Sequence, residues 1–256
     1  MKRQDAALDT TASAAGIEGV LYDIDDTLVD LRTASLNGFL AMSAHQMDGV
    51  PEAERHRIAA DFADDGAGAY ERYMSGELTF LQQRALRVER AYRMAGITVP
   101  DANEMVSWVE RYEQRVQQAW RPFADVLPHL DRLQTLGIPI GAVSNNVEHY
   151  QRNKLSLAGL SMIQVVIGSD TAGAPKPDPA PFLAGCAALG TRPGRTLYVG
   201  DNPINDAQGA HAAGLLAVLV DRGVRHRNSA FPRVENLGEI DREIRENPGF
   251  FGLVHP

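Results

Sequence analysis

The chain has 256 residues, 44% of them apolar, enough for one large domain or two smaller ones with a substantial core. Its net charge of −8 argues against a nucleic-acid or membrane-surface partner, and no stretch is long and apolar enough to span a bilayer. Cys186 is the single cysteine, which rules out an intrachain disulfide; its apolar, helix-like setting, Phe182 to Ala187, reads as packing, not as a nucleophile.

Residues 1–15 are small and polar and are expected to form a disordered tail. The charged start leads into no apolar signal segment, which together with the lone cysteine fits a cytoplasmic protein. Val20-Leu21-Tyr22 is a short apolar run of the kind found in a buried parallel strand. From about Thr33 to Trp120 the period changes. Leu78, Leu81, Ala85, Val88, Tyr92 and Ala95 recur at three and four, as do Met105, Val109, Tyr112, Val116 and Ala119, and two weaker helices are expected around 33–48 and 52–72. The segment is therefore an all-helical insert. After it, helices and strands alternate: helix 126–136, strand 138–143, helix 148–158, strand 164–168, a helix from about Asp178 to Leu189, strand 196–199, helix 206–213, strand 215–220 and a last helix 239–246. Such alternation predicts an α/β domain with a parallel sheet and right-handed crossovers.

The first strand ends in acid: Asp23, Asp25 and Asp26. Three adjacent carboxylates repel one another, and a hard divalent cation such as Mg²⁺ would offset them; a solvated loop is the other reading. Asp26 is read as a surface or turn residue. Ligands in parallel sheets bind beyond the carboxyl ends of the strands, and Asp23, Ser144 and Asp201 all stand at or just past such ends. Only Lys2, Lys154 and Lys176 are lysines against 22 arginines among the 25 basic residues. Lys154 is expected on a solvated helix face. The arginine-rich stretch 221–227 is read as a solvated loop or a basic patch, and the seven histidines as structural or surface groups.

Asp23-x-Asp25-x-Thr27 resembles the first motif of the haloacid dehalogenase-like (HAD) hydrolase superfamily. Three further pieces follow in that family's order: Ile140 to Asn145, a strand ending in Ser144; Lys176 in Pro175-Lys176-Pro177-Asp178; and Gly200-Asp201 through Asp206. The resemblance implies a Rossmann-like core, residues 16–32 and 121–256, with a helical C1 cap domain of subfamily I at 33–120. It implies that Asp23 is a nucleophile, that Asp25 is a general acid and base, and that Thr27 supports Asp25 through a hydrogen bond, a role that a plain turn would also require. It places Ser144, Asn145 and Lys176 on the phosphate; Ser144 could instead cap the next helix. Mg²⁺ would be held by Asp23, by the backbone carbonyl of Asp25 and by Asp201, with Asp206 behind them or as a direct ligand, unless Asp206 caps the helix that follows.

The function so implied is Mg²⁺-dependent hydrolysis of a small phosphorylated metabolite through an aspartyl-phosphate. An acid at position 25 favours phosphate esters over dehalogenation. A phosphomutase of the same superfamily is the near alternative; a receiver-like signalling domain or a non-catalytic binding protein is the alternative of another class. Substrate choice is expected from the insert, with Tyr73, Gly76 and Arg84 as candidates on or near the loop 73–77, which could equally be a plain turn. Oligomeric state is not legible in the sequence.

Overall fold

The computed structural model describes residues 16–246 and Phe251. The tail expected at 1–15 lies outside these residues. The apolar runs become β1 (Gly19–Tyr22), β2 (Ile140–Val143), β3 (Val165–Ile167), β4 (Thr196–Gly200), β5 (Leu216–Val220) and a two-residue β6 (Arg233–Val234). All pairings are parallel, in the order β3-β2-β1-β4-β5-β6. The sheet thus places β1, β2 and β4 side by side, and the strands that carry Asp23, Ser144 and Asp201 open on one edge. β6, only two residues long, carries no readable period in the sequence.

Both faces of the sheet are covered. Leu21, Val143 and Tyr198 pack with Phe182 and Cys186 of the helix Pro179–Leu189 and with Ala207 and Ala210. Tyr22, next to Leu21 and so on the opposite face, shares a 2.6 Å hydrogen bond with His129 Nε2 on the helix Val126–Thr135. Burial pushes the Tyr22 hydroxyl well above its ordinary pKa, with Asp241 adding to the shift, so the phenol keeps its proton. His129 Nδ1–H then donates to Asp241, at 2.8 Å, on the last helix, Leu237–Glu246. His129 is a structural residue, as read. On the other layer Gly185 lets its helix sit close on the sheet: a Cβ there would lie 2.7 Å from Leu21 Cδ1, which would have to shift.

Residues Asp30–Arg121 form a separate compact unit; the described residues up to Val29 and from Pro122 form the other. The smaller unit is all helical: α1 (Leu31–Ser43), α2 (Glu52–Ala63), α3 (Ala69–Met74), α4 (Phe80–Met94) and α5 (Ala102–Ala119). Asp30, Thr79 and Asp101 cap α1, α4 and α5 with their side chains, the last two in reciprocal capping boxes. Its core is aromatic. Phe39 stacks on Phe62 at 4.6 Å, Trp108 stacks on Tyr112 at 5.3 Å, and Tyr92 meets both Phe39 and Trp108 edge-on.

The buried stripe of α4 differs from the one expected. Gln83, Arg84, Arg87, Val88, Ala91 and Tyr92 face inward, while Leu81 is exposed. Two arginines take core positions because each finds an acceptor. Arg84 pairs with Glu113 at 2.7 Å, and Arg87 donates to the Phe62 and Ala63 carbonyls. A 3.6-residue pattern of apolar types cannot register a buried charge whose partner lies on another helix.

Phe39→Ala is expected to cost the helical unit about 3–5 kcal/mol, the usual penalty for removing a buried phenyl ring. Both tryptophans of the chain, Trp108 and Trp120, belong to this unit, so urea unfolding followed by tryptophan fluorescence reads that unit alone. An unchanged midpoint would mean that Phe39 is not a keystone of the cluster.

Candidate active site

β1 runs into Asp23, whose backbone N–H still bonds to Val199 O at 2.9 Å. The chain then closes a tight loop in which Leu28 and Val29 N–H groups bond back to Ile24 O, and Asp26 adopts φ 60°. Ile24, Leu28 and Val29 are fully buried and anchor that loop. Asp26 is a turn residue, as read. Ser144 continues β2 through a 2.9 Å bond to Ile167 O, and Asp201 follows β4.

Lys176 is the centre of the arrangement. Its buried ammonium lies 2.6 Å from Asp23 Oδ1, 2.7 Å from Asp206 Oδ1, 3.0 Å from the Tyr198 hydroxyl and 3.2 Å from Val143 O. Its backbone is clamped by Asn145, which donates Nδ2–H to Lys176 O and accepts from Lys176 N. The loop therefore presents Lys176 to the strand ends because one side-chain amide satisfies both of its backbone groups. Burial alone would lower the Lys176 pKa, but the Asp206 and Asp23 carboxylates hold it well above the ordinary lysine value.

Asp23, Asp201 and Asp206 each bring one carboxylate oxygen within 4.8 Å of the others. Burial pushes the Asp23 carboxyl up to about 7; Lys176 opposes this shift, while Asp206 and Asp25 add to it. Asp201 is likewise raised, first by burial and then by Asp206 and Asp23. One ammonium does not balance three neighbouring carboxylates, and Arg225 comes only to 4.0 Å of Asp201. A donor set of hard oxygens short of positive charge fits a divalent cation. Gly200 keeps the cluster open, since a Cβ there would lie 2.3 Å from Asp206 Cγ.

Asp206 does not cap a helix. Asn202 is the cap, accepting from Ile204 and Asn205 N–H, and the segment expected as helix 206–213 is a π-helical turn, Pro203–Gln208, followed by the short helix Gly209–Ala212. The wider turn points Asp206 back at Lys176, Tyr198 and Asn202 N. Such turns recur at functional sites. Ser144 does not cap a helix either: its hydroxyl accepts from Asn146 N and from Gln151 Nε2.

Two expectations need correction. Lys154 is not solvated; it is 1% exposed and its ammonium pairs with Asp25 Oδ1. Thr27 Oγ1 is buried without a hydrogen-bond partner among the described residues, so the hydroxyl does not support Asp25. The Thr27 carbonyl instead accepts from Arg222, at 2.9 Å. The stretch 221–227 is a loop with Gly223, Arg225 and Arg227 exposed, as read; it is tied down at its start, where buried Asp221 accepts from Arg225 and His226 N–H and Arg222 pairs with Asp125 over the Phe123 ring. Gln151, Tyr198 and Arg222 were missed. The only signal was the scarcity of lysine, which singled out Lys154; the helical period around it read as solvent-facing.

Within the helical unit, Tyr73 lies in α3, its ring 6.0 Å from Phe80, and Gly76 has φ 78° in the turn that follows. Arg84 packs against Phe80 and Tyr112 while bound to Glu113. That pair and the two rings hold its guanidinium inside the unit.

A family model described as haloacid dehalogenase-like hydrolase matches residues 17–214. The chain is 31% identical over 240 residues to a phosphoserine phosphatase of Thermus thermophilus, covering 86% of this chain and 96% of that one. It is 27% identical over 213 residues to a glyceraldehyde 3-phosphate phosphatase of Methanopyrus kandleri, covering 81% and 85%. Among solved structures, a Bacillus subtilis HAD hydrolase bound to magnesium shares the fold, with TM-score 0.71, 18% identity and coverage of 89% and 98%. A HAD phosphatase of Thermococcus onnurineus superposes with TM-score 0.56 at 26% identity, covering 88% and 97%.

Proposed function

We propose that this chain, which belongs to the haloacid dehalogenase-like hydrolase family, is a Mg²⁺-dependent phosphatase of small phosphomonoesters that works through an aspartyl-phosphate. The observation that carries the reading is the buried Lys176 ammonium between Asp23 and Asp206, with Asp201 beside them. Asp23, Asp201, Asp206 and the Asp25 carbonyl would hold the ion. Bound Mg²⁺ supplies the positive charge that offsets repulsion between the Asp23 carboxylate and the phosphate and orients both.

Asp23 attacks phosphorus, the bond to the leaving oxygen breaks, and Asp25 gives that oxygen its proton. Asp25 then takes a proton from water as the water oxygen attacks the aspartyl-phosphate, releasing inorganic phosphate and restoring Asp23. The Ser144 hydroxyl donates to a phosphoryl oxygen, Lys176 neutralises another, and Asn145 acts by holding Lys176. An acid at position 25 favours an ester leaving group over a halide. In this reading residues 33–120 are the C1 cap domain that selects the substrate, a small phosphorylated metabolite, in the cytoplasm. Among the described residues no helix is long and apolar enough to cross a membrane.

The test is inorganic phosphate release from a panel of phosphomonoesters, p-nitrophenyl phosphate included, with Mg²⁺ and with EDTA. Release that needs Mg²⁺ is expected. No release from any ester would overturn the reading, and an isomerised sugar phosphate without free phosphate would turn it into a mutase.

A further inference from the structure

The mechanism leaves unused a pair of buried polar side chains on the helix Glu148–Leu157. Gln151 is fully buried and Lys154 is 1% exposed. Three apart, they share one face of the helix, and each grips a different oxygen of Asp25. The Lys154 ammonium bonds Oδ1, and Gln151 Nε2 donates to Oδ2 at 2.9 Å. Gln151 Nε2 also donates to Ser144 Oγ at 2.7 Å. Its own Oε1 is buried with no partner among the described residues. The amide thus spends its donor on two site residues and leaves its acceptor unsatisfied. That arrangement is unfavourable for packing alone, where a buried polar atom normally finds a partner.

We propose that Gln151 and Lys154 are the positioning residues that fix the Asp25 carboxyl group for proton transfer to the leaving oxygen, and that Gln151 registers it against Ser144. The proposal rests on the phosphatase reading above. Asp25 sits on the loop after β1 with its side chain 26% exposed, so without the clamp it would sample several rotamers. With both oxygens held from one rigid helix, it keeps a single position relative to the hydroxyl that meets the phosphate. A burial this complete is costly for an ammonium, and Asp25 Oδ1 is an acceptor that offsets it while the carboxyl group can still carry a proton on Oδ2. Gln151 and Lys154 act through Asp25; neither needs to touch substrate.

A purely structural pair would affect all substrates alike; a pair that positions an acid would not. The kcat/KM of wild type, Lys154→Met and Gln151→Met is to be measured with Mg²⁺ on p-nitrophenyl phosphate and on the best alkyl phosphomonoester of the panel. This parameter reports steps up to formation of the aspartyl-phosphate, where the leaving group departs. Lys154→Met is expected to lose about ten- to hundred-fold on the alkyl ester, the scale of misplacing a reacting group by about 1 Å. On the aryl ester, whose leaving group departs without a proton, the loss should be under about threefold. Gln151→Met should show the same split at smaller size, and it decides alone if Lys154→Met does not fold. Equal loss on both esters, or none on either, overturns the positioning role while leaving the phosphatase reading intact. Wild type that turns over the aryl ester but no alkyl ester also overturns it, since a positioned acid would then have no leaving group to serve. No phosphate release by wild type from either ester defeats the proposed function, and this role with it.

Discussion

Asp23→Asn should reduce phosphate release by at least about 10³-fold, the order expected when a covalent nucleophile is removed, while the protein stays folded. The two halves of this expectation have separate causes. The amide has the carboxylate's shape but cannot attack phosphorus usefully. It also removes one of three crowded acids, and Asp206 still satisfies Lys176 at 2.7 Å. Burial already holds the Asp23 carboxyl near 7, so the native state resists ionising it. In a metal-free sample at pH 8 the neutral amide should therefore leave Tm unchanged or raise it. Added Mg²⁺ should stabilise wild type more than the variant, because one ligand has lost its charge. Thermal melts with and without Mg²⁺, beside the phosphate assay, check both halves. Near-wild-type turnover would remove Asp23 from the nucleophile's place.

Lys176→Met should be the most destabilising single change at the site, at about 3–5 kcal/mol in the metal-free protein, because breaking a buried ion pair leaves its charges uncompensated. Two carboxylates lose their cation together, and Asn145 loses nothing, since it binds the Lys176 backbone. The pH dependence has a definite sign. An acid whose pKa is raised in the folded state binds more protons folded than unfolded, so stability falls as pH rises from the ordinary carboxylate range towards the folded value. Asp23 is already raised to about 7 with Lys176 present, and removing the cation raises it further. The loss in the variant should accordingly be larger at pH 8 than at pH 5.5. Mg²⁺ should recover part of it; at a hundred times its Kd, a bound ion adds about 2.7 kcal/mol. Activity should fall with the fold restored, since the phosphate loses its cation. A Tm at pH 8 equal to that of wild type would show that Lys176 does not balance the acids.

What was legible in the chain by itself had a local cause. The alternation of short apolar runs with helices specified a parallel sheet, and an abrupt change from apolar to acidic at Asp23 marked a strand end that points at a ligand. Asp23, Ser144 and Asp201 stand at or just past strand ends, and side chains just past adjacent parallel strands converge whatever the intervening sequence; Lys176, in the loop before the helix Pro179–Leu189, was singled out by the family resemblance. The helical segment showed itself by the three- and four-residue period of its apolar positions.

Tertiary structure alone decided which polar groups were buried and whom they met. Lys154 and Gln151 look like a solvated face from the sequence, since a helix period counts apolar types and cannot see an acid more than a hundred residues away on another loop. Arg84 and Arg87 are core residues for the same reason: Glu113 and the Phe62 carbonyl arrive from other helices. Thr27, expected to hydrogen-bond in its turn, presents its carbonyl to Arg222, an arginine 195 positions later in the chain. On local grounds Asp206 could have been a helix cap; the cap is Asn202, and the wide π-helical turn directs the Asp206 carboxylate to the Lys176 ammonium. A charge is readable in sequence, but its burial is a property of its partner, and the fold is what supplies the partner.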